Sequence, residues 1–298
     1  MGNIERRKLM DRVFVIVGLF ALIAALAVLF ALFADLVVQG APRLDAGFLT
    51  SFASRKPAEA GILAAWVGTA LIMLVTACVA MPLGVAAAIY LEEYAPKNAF
   101  TAIIEVNVTN LAGVPSIIYG LLALGLFVYR FNFGQSILAA GSTLALLILP
   151  IVIVATREAV RAVPRPIREA AYALGATRWE VTAHHVLPYS MGGVLTGMII
   201  GLSRAIGETA PIITIGALSF IAFLPASPFT SEFPFLSFAW LKDPFTAIPI
   251  QMFNWVSRPD PDFRVNAAAA GAILLGMTLL MNGLAIWLRF RFRKRIYW

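Results

Sequence analysis

The sequence predicts an all-α integral membrane protein with six transmembrane helices. Hydrophobic residues make up 60% of the 298 residues. Charged residues make up only 13%, which is about half the share found in soluble domains. Six apolar runs are long enough to cross about 30 Å of hydrocarbon. They lie at residues 13–38, 62–91, 101–129, 136–156, 191–221 and 266–290.

The first apolar run follows a basic segment and so resembles a secretory signal. The basic residues are Arg6, Arg7, Lys8 and Arg12. A signal core extends over about 7–15 apolar residues, whereas the run at 13–38 is long enough for a complete crossing. We therefore expect an uncleaved first transmembrane helix.

The distribution of lysine and arginine predicts the orientation. Six spans place both termini on one side of the membrane. The termini and loops of that side hold 15 Lys and Arg residues, against 7 in the opposite loops. Positive residues concentrate on the cytoplasmic side, so we expect both termini in the cytoplasm. Because the basic residues lie at the ends of spans, orientation explains the net charge of +7 better than nucleic-acid binding does.

Redox and metal chemistry receive little support from the sequence. Cys78 is the only cysteine, and it lies inside an apolar run. The only two histidines, His184 and His185, are adjacent, so on a helix they point about 100° apart and do not converge on one ion. We predict no metal site and interpret the histidines as polar interface residues.

Two connections are longer than the topology requires, and long connections in compact proteins are usually functional. The predicted external loop at 222–265 is rich in proline and aromatic residues, including Pro225, Trp240 and Trp255. These residues can dock an external protein or cap the helix bundle, and the sequence leaves both interpretations open. The second long connection is the cytoplasmic loop at 157–190.

The cytoplasmic loop carries the signals of two short helices. Pro166 suits a first helical position, and Gly175 is the expected left-handed stop of the first helix. Thr177 and Glu180 form a capping box that begins the second helix. We expect Pro188 to end that helix, because proline cannot continue the hydrogen-bond ladder.

The first of these helices has an apolar strip. Its residues recur at helical spacing, at Ile167, Ala170, Ala171 and Leu174. Such a strip in a cytoplasmic loop must be buried against something. The local pattern fits a protein partner and a lipid surface equally well.

The whole loop resembles the EAA loop of binding-protein-dependent ABC importer permeases. That pattern is Glu-Ala-Ala, three residues, Gly, nine residues, a hydrophobic residue, any residue, and Leu-Pro. The matching residues are Glu169, Ala170, Ala171, Gly175, Leu187 and Pro188. The departure is His185, where the family usually has Ile. The resemblance implies that this loop is the coupling helix, which docks in a cleft of an ATPase subunit.

The same resemblance implies the type I ABC importer permease fold. Residues 1–60 would hold the N-terminal tail, first span and an external loop, and residues 61–298 the permease core. The chain has no Gly-x-x-x-x-Gly-Lys-Ser/Thr motif and hence no predicted cradle for ATP. We therefore expect a transporter subunit and not an enzyme. ATP and Mg would be bound by a partner ATPase, with no cofactor in this chain.

Two charged residues interrupt the fifth apolar run. Each of Arg204 and Glu208 costs about 2.5–3.5 kcal/mol near the centre of a bilayer. They are four residues apart, so one interpretation is a self-neutralising structural pair. The other is functional: Glu208 is the counter-ion of Arg204 in the empty pathway, and the guanidinium meets a passing oxyanion. Gly201, Gly207 and Pro211 would let the backbone bend or approach closely.

The surrounding motif resembles the signature of phosphate-specific (Pst) permeases, a family in which R-A-[IV]-G-E-T recurs. Here Ser203-Arg-Ala-Ile-Gly-Glu-Thr209 carries it. Residues 110–120 of the third run are also similar to that family, which has a Gly-x-Pro break on the helix that lines the pathway. The resemblance implies pathway roles for Arg204, Glu208, Ser203, Thr209, Asn110, Gly113 and Pro115. A purely structural kink at Gly113 and Pro115 stays open.

Together these features predict a permease subunit of an ATP-driven phosphate importer in the bacterial inner membrane. Its implied partners are a sister permease (PstC-like), an ATPase dimer (PstB-like), an external phosphate-binding protein (PstS-like) and membrane lipid, with no nucleic acid. The alternatives are an importer of phosphonate, sulfate or molybdate, and a secondary transporter. A secondary transporter should show paired broken helices or a ring of pore charges, and only one charged helix centre is visible.

Overall fold

A computed structural model describes residues 3–229 and 235–293. Within these ranges the regular structure is helical, apart from one isolated bridge between Phe229 and Leu236. The α-helices are α1 (Asn3–Gly40), α2 (Ala46–Thr50), α3 (Leu63–Ile89), α4 (Ala99–Leu111), α5 (Ser116–Ala123), α6 (Ile137–Arg161), α7 (Arg165–Ala173), α8 (Arg178–Val181), α9 (Leu187–Ile206), α10 (Ala210–Ile215), α11 (Ile248–Val256) and α12 (Asp262–Arg293).

The predicted all-α membrane fold is confirmed, and two of the spans, the third and the fifth, are interrupted. In the described part of the chain, five helices are long and apolar enough to cross a membrane by themselves. The predicted third span is instead a bent pair, Ala99–Leu111 and Ser116–Arg130, whose axes differ by 107°. Counted as one span, this pair brings the total to six. The apolar run predicted at 101–129 is therefore interrupted between residues 111 and 116.

Helix α6 occupies the centre of the bundle. In its apolar window 72% of the residues are buried, and it packs between α3 and α9. Small residues bring the helices together, as they do in many membrane bundles. In α9, Gly193 and Gly197 lie against Ala159 and Ala155 of α6, so closely that a Cβ atom on either glycine would clash. The spacing of four between these glycines places them on one helix face.

Helix α1 lies at the periphery. None of its apolar window is buried within the chain, and its contacts are with α12 and the turn that follows it. Gly40, at its end, lies directly on the backbone of Ala269. A helix that is apolar all round and unburied by its own chain must be covered by lipid or by another subunit.

The segment predicted to be external, at residues 222–265, contributes to the core of the bundle. Trp240 and Phe245 are buried in the largest apolar cluster, which also contains residues of α3 and α6. In a second cluster, Trp255 of α11 is fully buried, with its ring centroid 5.8 Å from that of Phe48 and 6.4 Å from that of Phe263. Of the two interpretations of residues 222–265, capping of the bundle is thus observed for these rings. Residues 230–234 of the loop lie outside the described part of the chain.

The second cluster also bears on the predicted division at residue 60. Phe48 and Ala60, from the N-terminal side of that boundary, are fully buried against residues of α11 and α12. Arg43 reinforces this contact, since it donates hydrogen bonds to the carbonyl of Ala60 and to the side chain of Asn266. The part of the N-terminal segment that follows α1 is therefore joined to the core.

Candidate functional site

The fifth span is interrupted at its two charged residues. Helix α9 ends at Ile206, residues 207–209 are not helical, and α10 then begins. At the interruption the N–H of Gly207 donates to the carbonyl of Arg204, and the N–H of Glu208 to that of Ala205. Pro211 lies in the first turn of α10, where no N–H is needed. The predicted run at 191–221 was therefore wrong as one continuous helix, although the predicted bend at Gly207 and Pro211 is present.

Arg204 and Glu208 remain paired across this break. Arg204 Nε donates to Glu208 Oε1 at 3.4 Å, a single long contact and not a bidentate one. The Arg204 side chain is 39% exposed and that of Glu208 is 19% exposed. Within residues 3–229 and 235–293, Arg204 makes no other side-chain hydrogen bond. The remaining guanidinium N–H groups therefore have no partner in this part of the chain, and the exposed part of the side chain can meet a ligand or another subunit.

The third span breaks at the predicted residues. Gly113 and Pro115 lie in the turn between α4 and α5. The N–H and C=O groups that this turn frees from helical bonding must form other hydrogen bonds, because a membrane offers no water to pair with them. The carbonyl of Leu111 accepts the N–H of Val114 at 3.1 Å and the hydroxyl of Tyr119 at 2.8 Å. Asn110 is exposed, and its carbonyl accepts the N–H of Gly113 at 3.0 Å.

The two breaks are brought together by α5 and α10. Gly120 of α5 lies on Pro211 and Thr214 of α10, so closely that any side chain at residue 120 would clash. Tyr119, beside it, donates its hydroxyl to the carbonyl of Leu111 at the third-span break. The exposed polar groups of the third span and the charged pair of the fifth therefore belong to one region.

Of the other two predicted pathway residues, Ser203 is engaged within the chain through its side chain and Thr209 through its main chain. The hydroxyl of Ser203 bonds to the side chain of Asn282 on α12 and to the carbonyl of Ile199. Thr209 precedes α10, and its carbonyl accepts the N–H of Ile213 at 3.0 Å. The structure therefore places Ser203 at a contact between α9 and α12.

The predicted signals of the cytoplasmic loop are largely confirmed. Gly175 has a left-handed φ of +89° and follows α7, and Thr177 and Glu180 form both bonds of the capping box. Pro188 does not end the second helix, so that prediction was wrong. A π-helical turn over Thr182–Val186 continues α8 into α9, and Pro188 falls in the first turn of α9. The hydrogen-bond pattern of this wide turn lets the helix continue through Pro188, although proline has no N–H to donate.

The apolar strip of α7 forms an open groove. Ala171 is buried, whereas the side chain of Leu174 is 90% exposed and Glu169 is also exposed. The groove has a volume of about 340 Å³ and is lined by Pro166, Ile167, Ala170, Ala171, Leu174 and His185. An exposed leucine beside an apolar groove is a surface suited to a protein partner. His184 and His185 are both exposed, and no group of three potential metal ligands occurs in the described residues.

Three residues that lie at or near the site were not predicted from the sequence. Tyr119 and Gly120 lie beside the third-span break, but nothing in the local pattern distinguishes them from other apolar helix residues. Glu105 lies inside the predicted third span, and its charge was an available signal because intramembrane carboxylates are rare. In the structure Glu105 pairs with Arg157 at 2.7 Å.

An apolar helical bundle with two interrupted spans in contact, one of which carries a charged pair at its interruption, is typical of a membrane transport subunit. The chain belongs to the family of binding-protein-dependent transport system inner membrane components, whose model matches residues 80–296. It is therefore a component of a transporter and not an enzyme.

Known proteins similar to this chain agree with that assignment. The chain is 29% identical over 295 residues to a probable ABC transporter permease protein, YqgI, of Bacillus subtilis (strain 168), covering 97% of this chain and 98% of YqgI. It is 30% identical over 281 residues to the phosphate transport system permease protein PstA of Haemophilus influenzae (strain ATCC 51907 / DSM 11121 / KW20 / Rd), covering 94% and 91%. A chain of the inward-facing MetNI methionine ABC transporter shares the fold, with a TM-score of 0.56 and 14% identity over 78% of this chain and 95% of that one.

Proposed function

We propose that this chain is a permease subunit of an ATP-driven importer of inorganic phosphate. The observation that carries the proposal is the Arg204–Glu208 pair, which lies where the broken fifth span meets the broken third span. A guanidinium with free N–H groups is the side chain best suited to an oxyanion. The similarity to a phosphate permease of Haemophilus influenzae favours phosphate over other oxyanions.

In the proposed mechanism Glu208 neutralises Arg204 while the pathway is empty. The 3.4 Å contact is weak enough to be exchanged for a better acceptor, and an arriving phosphate can accept two guanidinium N–H groups at once. A protonated phosphate can also donate a hydrogen bond to Glu208, which fully ionised sulfate cannot do. We assign further polar groups of the pathway to the exposed Asn110 and to the backbone turn at Gly113 and Pro115, because the following helix α5 contacts α10.

ATP hydrolysis is assigned to a separate ATPase dimer of the PstB type, which binds ATP and Mg. Its proposed docking surface is the groove on α7, which includes the strip with Ala170 and Ala171. Leu174 projects from this surface and is the natural anchor for a cleft in the partner. Glu169, Gly175, Leu187 and Pro188 are assigned supporting roles in the shape of this coupling segment.

Membership in a binding-protein-dependent family supports our assignment of the remaining partners. We assign the second half of the pathway to a PstC-like sister permease and solute delivery to a PstS-like external protein. The chain would lie in a bacterial inner membrane, with both termini in the cytoplasm, because six crossings return it to the side richer in Lys and Arg.

The test is uptake of labelled phosphate by cells from which the gene is deleted, with and without the gene restored. Excess sulfate, molybdate or phosphonate is added as competitor. High-affinity uptake that depends on the gene and resists these competitors supports the proposal. Phosphate uptake that is unaffected by deletion contradicts the assigned solute, and inhibition by one competitor identifies another oxyanion as the cargo.

A further inference from the structure

Two adjacent carboxylates at the end of the second span point to different neighbours. Glu92 and Glu93 lie in the π-helical turn Tyr90–Tyr94 that continues α3. Both are mostly buried, with side-chain exposures of 19% and 11%. Because buried carboxylates are costly unless they are paired, both are expected to have firm partners.

Glu93 is paired with the proposed coupling helix. Arg168 of α7 donates to Glu93 Oε1 through Nε at 3.2 Å and through Nη2 at 2.8 Å. Its Nη2 also donates to the carbonyl of Val160 at 2.8 Å, and its Nη1 donates to the carbonyl of Val163. Arg168 is only 17% exposed, so this contact ties α7 firmly to the end of α3.

Glu92 is paired with α6, and α6 is paired with α4. Arg161 donates to both oxygens of Glu92, at 3.1 and 3.0 Å. Arg157, whose side chain is 8% exposed, lies 3.6 Å from Glu92 and 2.7 Å from Glu105 of α4. Two sets of ion pairs therefore meet at the end of α3, where the backbone of the turn Tyr90–Tyr94 joins Glu93 to Glu92, and together they form a series from α7 through α6 to α4.

The far end of this series lies close to the pathway break. Glu105 and Asn110 are five residues apart on α4, about 7.5 Å along the helix axis. A displaced Glu105 would therefore move the turn at Gly113, because helix α4 transmits the shift as a rigid element. Salt bridges between rigid elements are one physical route by which distant sites are coupled.

We infer that Glu92 and Glu93 link the coupling helix to α4, so that movement of α7 on the ATPase is transmitted to the third-span break. The inference rests on the proposed coupling role of α7. Glu92, Glu93, Glu105, Arg157 and Arg168 are positioning residues, because they act through α4 and do not touch the solute. The series gives each ATP cycle a direct mechanical effect on one wall of the pathway.

The first test measures phosphate transported per ATP hydrolysed, with the complete importer in proteoliposomes. The variants are Glu93→Gln at the α7 end of the series and Glu105→Gln at the α4 end. Each should lower the ratio at least about threefold while ATPase binding and ATP hydrolysis persist. The matched control is Glu158→Gln on α6, which removes an exposed partner 3.3 Å from Arg161 outside the series and should leave the ratio unchanged.

A second readout is independent of the solute. Leu111→Cys places a thiol at the exposed end of α4, in a chain that also carries Cys78→Ser. Its labelling rate should differ between nucleotide-free and ATP-bound complexes, and Glu93→Gln should remove most of that difference. This labelling test remains valid if the parent complex transports another solute, so failure of the assigned cargo and failure of the link are distinguishable.

Three results would overturn the link. The first is an unchanged transport ratio in both variants. The second is labelling of Leu111→Cys that does not respond to ATP in the parent complex. The third is loss of complex assembly in both variants, which would make the ion pairs a requirement for folding and not for coupling.

Discussion

Replacement of Arg204 by alanine should abolish most uptake without unfolding the chain. The stability cost is small because the side chain is 39% exposed and makes one long contact to Glu208. Pairs of this kind contribute about 0–1 kcal/mol. A guanidinium that binds an oxyanion loses about 1.5–3 kcal/mol of charge-assisted hydrogen bonding when it is removed. That loss corresponds to a decrease in uptake of about 10- to 100-fold.

The assay is initial uptake of labelled phosphate at a concentration below saturation, normalised to the assembled complex recovered by co-purification. Arg204→Lys keeps the charge but loses the planar fork, so its uptake should be intermediate. Glu208→Gln separates the two interpretations of the pair: a structural pair predicts equal losses from Glu208→Gln and Arg204→Ala, whereas a ligand-binding arginine predicts a much smaller loss from Glu208→Gln. Normal uptake by assembled Arg204→Ala complexes would refute the reasoning.

Three further predictions concern coupling and packing. Leu174→Asp should reduce co-purification of the ATPase at least about tenfold without changing the thermal unfolding of the isolated chain, because Leu174 is 90% exposed; unaltered co-purification would contradict the docking surface. Gly197→Ala should lower the free energy of unfolding of the detergent-solubilised chain by about 1–3 kcal/mol, because the new Cβ atom would clash with Ala155. The control is Gly192→Ala, whose Cβ atom would meet nothing within 4 Å and which should leave the free energy of unfolding unchanged. Trp255→Ala should cost about 3–5 kcal/mol in the same unfolding measurement, and a cost below about 1 kcal/mol would show that the ring is not packed as described.

The spans and the cytoplasmic loop were predictable because their signals are local. An apolar run of about 20 residues indicates a crossing whatever packs beside it. Gly175 and the capping box of Thr177 and Glu180 act within one or two helical turns, so the sequence places them correctly. The prediction that Pro188 ends a helix failed because the effect of this proline depends on the π-helical turn before it. That turn is set by how the loop packs.

The arrangement of the site was not predictable in the same way. Whether α5 meets α10 depends on Gly120, and a glycine at a close helix contact has the same local sequence as a glycine elsewhere in a helix. The pairing of Glu105 with Arg157 joins residues 52 positions apart, which no periodicity reveals. The sequence indicated which residues were unusual, and the structure shows which of them are neighbours.

The outward position of Arg204 constrains how a pathway can be built from this chain. The residue lies about 25 Å along α9 from Leu187, deep enough to be within a bilayer. A charge in contact with lipid costs up to about 2.5–3.5 kcal/mol, the value at the bilayer centre, and the weak contact to Glu208 offsets only part of such a cost. The exposed polar groups at Asn110 and Pro115 would also be unfavourable in contact with lipid. A second permease that covers this region would remove both costs and leave a polar passage between the subunits, so the exposure of the site is itself an argument for a pathway shared by two chains.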